Sequence, residues 1–384
     1  MKSFVLNNTI TAIINSQLLD NIKEFASKLN PSLTKLKEPL SKHTTLGIGG
    51  QADIWYEATS TDELVNTVKL ARASDIPVTI LGWGSNVLIS DNGIRGLVIH
   101  NKSDKIVIEG ETEVSVSSEV PKIKARLDQI EANASEQFIK DFSTLDYDES
   151  NKPSVKVKMD SGVYLPYAIN YLINKGITGL QWFSRIPGTI GGGIFNNIHG
   201  GSHFFSEAIE SVLVLDQNNK ERVIHAPDLE FDYDYSRFHH SKEIILQGHF
   251  ILRKGDSQKA RMIVSEWANR KKVQPNNSPG CAFANISDET KQKNNFPSNS
   301  IGWLVEKGLG LSGYQEGDIA IHDKHHNFIV NKGNGTAKEY LNVLKKITKD
   351  AKEKFDIDLI TEIFFLGFND SELEGLNVAG TGKS

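Results

Sequence analysis

The chain reads as a mixed α/β or α+β protein on three observations. An early stretch has a strand–helix–strand rhythm, the middle carries short alternating apolar segments, and the last part holds a long amphipathic helix. In chain order, Ile10, Ile14, Leu18, Ile22 and Phe25 stand at helical spacing, so the first forty residues are expected to form a helical lead-in. Ala52–Ala58 follows as a strand. Ser60-Thr61-Asp62-Glu63 has capping-box spacing, in which a hydroxyl takes an orphan N–H and the later carboxylate reaches back. It opens a helix running to Ala73. Pro77–Leu81 and Gly96–His100 complete the β-α-β start.

Residues 119–153 interrupt the rhythm. They are polar and acidic, with Asp141, Asp146, Asp148 and Glu149 close together, and read as an insertion between the strand-like Glu113–Val116 and Val155–Lys158. Tyr164–Lys175 is a helix that stops at Gly176. Val212–Leu215 and Ile244–Leu246 are strands. From Asp256 to Lys272 the pattern is helical again, and the main boundary falls near 255. Thr336-Ala337-Lys338-Glu339 is a second capping box, and Tyr340, Leu344, Ile347, Ala351 and Phe355 face a core from the helix it opens.

Composition narrows the function classes. The 384 residues are 39% hydrophobic and 24% charged, with a formal net charge of -5, which suits a globular protein and not a general nucleic-acid binder. Lysine pairs such as Lys271-Lys272 are read as solvated surface. The single cysteine, Cys281, excludes an internal disulfide. The start of the chain lacks a secretory pattern, and no run approaches the ~18 apolar residues of a membrane span. A cytoplasmic monomer is expected. The pairs His239-His240 and His325-His326 lack a third ligand at recognisable spacing, so no metal site is expected.

Glycine marks the candidate binding loops. Leu46–Gly50 precedes a strand, Leu81–Leu88 follows one, and Ile186–Gly193 is a third cluster. Glycine lets the backbone approach a ligand without a clashing Cβ, and consecutive N–H groups in such turns make a concave nest for phosphate oxygens. Ser85, Asn86 and Thr189 add side-chain donors, and Trp83 offers either a ring to stack on a cofactor or a core contact. There is no G-x-G-x-x-G between strand and helix, and no P-loop. By themselves the clusters do not choose between FAD and another nucleotide.

Taken together, Thr45–Ala52, Gly82–Leu88, Gly179-Leu180-Gln181 and Ile186–Gly192 resemble the FAD loops of the UDP-N-acetylenolpyruvoylglucosamine reductases. Ser300–Glu306 and Lys324–Asn331 are similar to the C-terminal signatures of that family. The resemblance runs from about 40 to 368, apart from the insertion. It implies a vanillyl-alcohol-oxidase/PCMH-type two-subdomain FAD-binding fold over 41–255, split near 105, with a C-terminal α/β substrate-binding domain over 256–370 and a tail over 371–384. It also implies FAD and NADPH as cofactors, a UDP-sugar as substrate, and neither nucleic acid nor membrane as partner. The FAD contacts it implies are Gly82, Gly84, Ser85, Asn86, Ile186, Pro187, Gly188, Thr189, Gly191 and Gly192.

The implied chemistry adds hydride to an enol ether conjugated with a carboxylate, so the site must stabilise developing negative charge and supply a proton. Cys281 stands at the family's serine proton-donor position, and a thiol ionises far more readily than a serine hydroxyl. Glu362 matches the late glutamate. Tyr233, Ser236 and Asn285 match substrate-binding positions. Asp234, however, stands where the family has an arginine. A carboxylate there repels another carboxylate by about 4 kcal/mol at 4 Å and an effective dielectric near 20. Arg237 and Arg185 are the nearest cations in sequence. Gln181 replaces a common glutamate, Ala284 a frequent lysine, Ile286 a proline, and His199 lies where a tyrosine loop is often found. These departures leave open a paralogous FAD oxidoreductase acting on another sugar, or a flavin-binding protein whose site has decayed.

Overall fold

Apolar alternation and parallel pairing build the first layer. A computed structural model describes residues 21–114 and 147–378, except 202 and 273. Ile10, Ile14 and Leu18 of the expected lead-in, residues 119–146 of the insertion and 379–384 of the tail lie outside the described residues. A four-stranded sheet is ordered Thr34–Pro39, Gln51–Ala58, Ile94–Asn101, Val78–Leu81, antiparallel at its first pair and parallel at the others. The helix Thr61–Ala73 buries Leu64, Val65, Val68 and Ala71 against it. Ser60 caps that helix by accepting from the Glu63 N–H, but Glu63 turns to Thr59 and Tyr56 instead of closing the expected box.

The lead-in is helical only in part. Residues 21–27 are helical and bury Ile22 and Phe25, yet Thr34–Pro39 is a strand on the edge of the sheet. Its sequence hides this because an edge strand pairs on one side only and carries lysines on the other positions, which also discourages pairing with another chain.

Between Asn101 and Ile106 the chain passes to a second sheet, antiparallel throughout, ordered Glu221–His225, Ile209–Leu215, Ile244–Lys254, Ser154–Asp160, Ile106–Thr112. The helix Leu165–Asn174, ended by Gly176 in the left-handed region, buries Leu165, Ala168, Ile169, Leu172 and Ile173 on it. The helix Ser257–Lys271 packs Ala260 and Val264 on this same core, and Ser257 donates to the Ile173 carbonyl. The change of core therefore falls after Lys271, not near 255.

The C-terminal part sets the helix Ala337–Phe355 over a small antiparallel sheet, Gln315–Glu316, Ile319–Ile321 and Ile329–Asn331. Its capping box is reciprocal, and Tyr340, Leu344, Ile347 and Ala351 are buried as their spacing requires. Asp91 of the first part accepts from the N–H groups of Ala337 and Lys338, tying the two parts together. Among the described residues no helix is long and apolar enough to cross a membrane.

Candidate active site

The three glycine-rich turns converge. Thr45 donates to the Gly84 carbonyl through both its N–H, at 3.0 Å, and its hydroxyl, at 3.1 Å, which joins the first turn to the second. Ser85 donates to the Pro187 carbonyl at 2.6 Å, which joins the second to the third. A Cβ added to Gly82 would lie 2.8 Å from the Thr189 hydroxyl, so glycine is what lets these two turns touch. Gly84 sits at φ +65°, against the carbonyl of His43.

These contacts redistribute the expected roles. Ser85 spends its hydroxyl on Pro187. Asn86 donates its side-chain amide to the Glu362 carbonyl at 3.2 Å, and Thr189 caps the helix Ile190–Phe195 by accepting from the Gly192 N–H. Gly191 donates its N–H to the Ser161 carbonyl. The main-chain N–H groups of Gly84, Ser85 and Asn86 in one turn, and of Gly188 and Thr189 in the other, have no protein acceptor among the described residues. A Cβ on Gly188 would meet open space. Unspent donors around an open space fit a pyrophosphate. Ile186 and Pro187 carry the same turn, with the Ile186 N–H bound to the Phe183 carbonyl. Trp83 is no core residue: its ring stacks on Tyr164 at 4.2 Å and remains 46% exposed.

The second turn leads straight to the chemistry. Its continuation, Val87–Ile89, pairs in parallel with Phe364–Leu366, and Phe364 donates to the Asn86 carbonyl. Glu362 thus lies beside the cofactor loops. Its own N–H donates to the Ala282 carbonyl at 3.0 Å, setting it next to Cys281. Asn327 holds the thiol segment from the other side, accepting from the Phe283 N–H and donating to the Phe283 carbonyl.

Cys281 keeps solvent access, and Glu362 and Asp234 keep partial access, although protein surrounds all three on most sides. They lie near enough for each carboxyl to act on the thiol and for Asp234 to act on Glu362. Burial pushes the Cys281 thiol up, Glu362 and Asp234 push it further, and Lys271 and Asn327 pull against them. Glu362 is raised well above the ordinary carboxyl range by burial and then by Asp234. Asp234, at φ +48°, is raised by burial and partly restored by His199, whose ring nitrogen lies 3.7 Å away. These surroundings weaken the acidity that made a thiol attractive as donor, but they keep it as S–H, the form that has a proton to give.

Other expected residues divide. Tyr233 packs on the His199 and Phe204 rings beside Asp234. Ser236 is fully buried and donates to the Phe195 carbonyl at 2.6 Å, so its hydroxyl fastens the turn. Asn285 is exposed and accepts from the Ile301 N–H, starting a short helix there. Arg237 is committed to Glu243 and the Asp228 carbonyl, and Arg185 is exposed, at φ +69°.

Two residues escaped the sequence reading. Lys271 is not solvated surface: it is half-buried, and burial lowers its ammonium to about 8 against an upward pull from Cys281. The signal was available, because Ala260, Val264, Trp267 and Lys271 continue one helical stripe whose start is buried. Tyr340 was legible only as core; its hydroxyl is buried with no hydrogen-bond partner among the described residues and is raised by burial and by Cys281.

Comparison with known proteins agrees with this geometry. The family model for an FAD binding domain matches residues 52–119, and that for the C-terminal domain of UDP-N-acetylenolpyruvoylglucosamine reductase matches residues 272–366. The UDP-N-acetylenolpyruvoylglucosamine reductase of Caldanaerobacter subterraneus is 30% identical over 354 residues, covering 91% of this chain and 98% of its own. That of Lactobacillus acidophilus is 31% identical over 331 residues, covering 86% and 93%. The crystal structure of the Thermus caldophilus reductase aligns with a TM-score of 0.60 and 25% identity over 87% of this chain and 98% of that one.

Proposed function

The chain belongs to the UDP-N-acetylenolpyruvoylglucosamine reductase family, and from that premise we propose that Cys281 and Glu362 perform its proton chemistry in a site rebuilt around Asp234. The fold is the vanillyl-alcohol-oxidase/PCMH type with a C-terminal substrate domain. The protein is an FAD-dependent NADPH oxidoreductase that reduces UDP-N-acetylglucosamine-enolpyruvate to UDP-N-acetylmuramate in peptidoglycan precursor synthesis. The finer reading has it act as a cytoplasmic monomer on this small UDP-sugar, without nucleic-acid or membrane partners.

The unspent amides of Gly84, Ser85, Asn86, Gly188 and Thr189 would hold the FAD pyrophosphate. FAD held there would, once reduced by NADPH, supply the hydride for the enolpyruvyl C3. Charge then develops on C2 and its carboxylate, and Cys281 gives its S–H proton to C2, saturating the double bond. The remaining thiolate recovers a proton from Glu362, whose raised carboxyl favours carrying one, and Glu362 recovers it from solvent. The net change consumes one NADPH and one proton.

The observation that carries this reading is that Glu362 is tied by its main chain both to Asn86 of the second glycine turn and to Ala282 beside Cys281. Steady-state NADPH oxidation by purified, FAD-loaded protein tests it. The expected result is oxidation that depends on the enolpyruvyl UDP-sugar and collapses in Cys281→Ala. No substrate-dependent oxidation in the wild type defeats the functional reading, and an undiminished Cys281→Ala defeats the assignment of the acid.

A further inference from the structure

Trp83 stands in the second glycine turn and belongs to none of the hydrophobic cores formed by the described residues. Glycines flank it, and a side chain on either would force the turn to move. A Cβ on Gly82 would lie 2.8 Å from the Thr189 hydroxyl, and one on Gly84 would lie 2.1 Å from the His43 carbonyl oxygen. The turn is thus pressed between the first and third turns, and backbone with little room to shift sets the direction in which the indole leaves it. That direction is outward, since the residue is 46% exposed.

A second ring backs it. Trp83 stacks on Tyr164 with centroids 4.2 Å apart and planes 28° from parallel. Tyr164 is fastened to the third turn: it pairs with Thr189 in an isolated antiparallel bridge, and the next residue, Leu165, donates its N–H to the Gly188 carbonyl at 2.9 Å. The two rings therefore span the same two turns in which the amides of Gly84, Ser85, Gly188 and Thr189 have no protein acceptor among the described residues. Stacking covers one face of the indole, so its exposed area is the other face and the edge. A fixed, flat, apolar face beside free amide donors suits a ligand in which a planar base is linked to phosphate.

FAD carries a planar ring at each end of its pyrophosphate, so order along the turn decides which ring arrives. Asn86, at the far end of the turn, is bonded to the Glu362 carbonyl, and the Glu362 N–H to the Ala282 carbonyl beside Cys281. The isoalloxazine, whose hydride must reach the substrate at the thiol, belongs at that end. Trp83 lies three residues back, across the amides of Gly84 and Ser85. A pyrophosphate held at those amides sends its adenosine half that way. We propose that Trp83, backed by Tyr164, is the stacking platform for the adenine of FAD and makes this site prefer the dinucleotide to FMN. The inference rests on the functional reading above and adds to it the residues that select the adenine half of the cofactor.

The test uses the FAD-bound protein at equilibrium. FAD set free is measured by chromatography of the ultrafiltrate, first on dilution and then on displacement by one of two fragments. ADP-ribose has the adenine and pyrophosphate without the isoalloxazine, and FMN has the isoalloxazine without the adenine. In Trp83→Ala the affinities for FAD and ADP-ribose are expected to fall about tenfold each, the scale of one base stacked on an aromatic ring, with FMN within about twofold of its wild-type affinity. Trp83→Phe should recover most of the loss. A loss shared by FAD and FMN but not by ADP-ribose would put the isoalloxazine on the ring, an equal loss for all three would mean a distorted turn, and no loss would leave the ring without a ligand; each overturns the inference. So does a raised KM for NADPH in FAD-saturated Trp83→Ala with FAD release unchanged, because the base on the platform is then the reductant's. Wild-type protein that carries no flavin overturns the functional reading instead, which keeps the two failures separable.

Discussion

Replacing Gly84 by alanine strikes at the junction of two cofactor turns, and the structure sets the size of the effect. The new Cβ would lie 2.1 Å from the His43 carbonyl oxygen and 3.1 Å from its carbon, so the turn must shift by roughly an ångström to reach ordinary van der Waals contact. At φ +65° an alanine also sits in the left-handed region, which costs about 1–2 kcal/mol. The shift pulls the Gly84 carbonyl from both Thr45 donors, now at 3.0 and 3.1 Å, for about 1 kcal/mol each. The sum, roughly 3–4 kcal/mol, amounts to about two to three orders of magnitude in FAD affinity when it falls on the bound form of the turn. Gly188→Ala makes the companion experiment. Its Cβ meets nothing within 4 Å, so the empty protein should keep its Tm, yet the methyl would intrude on the space faced by the unspent amides. FAD titration by flavin fluorescence, with Tm measured with and without FAD, separates the two: Gly84→Ala loses affinity and stability, Gly188→Ala affinity alone. Wild-type FAD affinity in both variants would refute the assignment of these turns to the pyrophosphate.

Other outcomes follow from the same site. Ser236→Ala removes a buried hydroxyl from the Phe195 carbonyl and should cost about 1–2 kcal/mol in denaturant unfolding while leaving substrate KM within about twofold; a large KM change with intact stability would restore Ser236 as a substrate contact. Tyr340→Phe removes an unpartnered buried hydroxyl near Cys281 and should leave stability unchanged or raised, and iodoacetamide alkylation of Cys281 across pH would report any change in the thiol.

Local chemistry made much of this legible, and long-range geometry hid the rest. The capping box at Thr336 and the apolar stripe through Tyr340, Leu344, Ile347 and Ala351 describe one helix completely because every contact involved lies within a few turns. The strand Ile244–Lys254 was visible only over its first residues, since Gln247, Gly248 and His249 break the apolar run; they are accommodated by Asp160 and Ser211, which belong to neighbouring strands. Val87–Ile89 was read as part of a glycine loop, and its partner Phe364–Leu366 lies at the far end of the chain. Cys281, Glu362 and Asp234 were found through motif positions, but what brings Glu362 to the thiol segment is its N–H bond to the Ala282 carbonyl, made across some eighty residues of chain. The hydroxyl of Ser236 and the side chains of Ser85 and Asn86 misled for a related reason. A polar side chain in a loop can face a ligand or fasten the loop, and only the position of distant carbonyls such as those of Phe195, Pro187 and Glu362 decides which.

The most direct test of the account is an anaerobic single turnover in heavy water. Protein loaded with reduced FAD is mixed with the enolpyruvyl UDP-sugar, and deuterium at C2 of the product is followed by mass spectrometry for wild type and Cys281→Ala. The account predicts rapid formation of product deuterated at C2 in wild type and a fall on the order of 100-fold or more in the variant, while reduction of its flavin by NADPH persists. Equal single-turnover rates in the two proteins would contradict it.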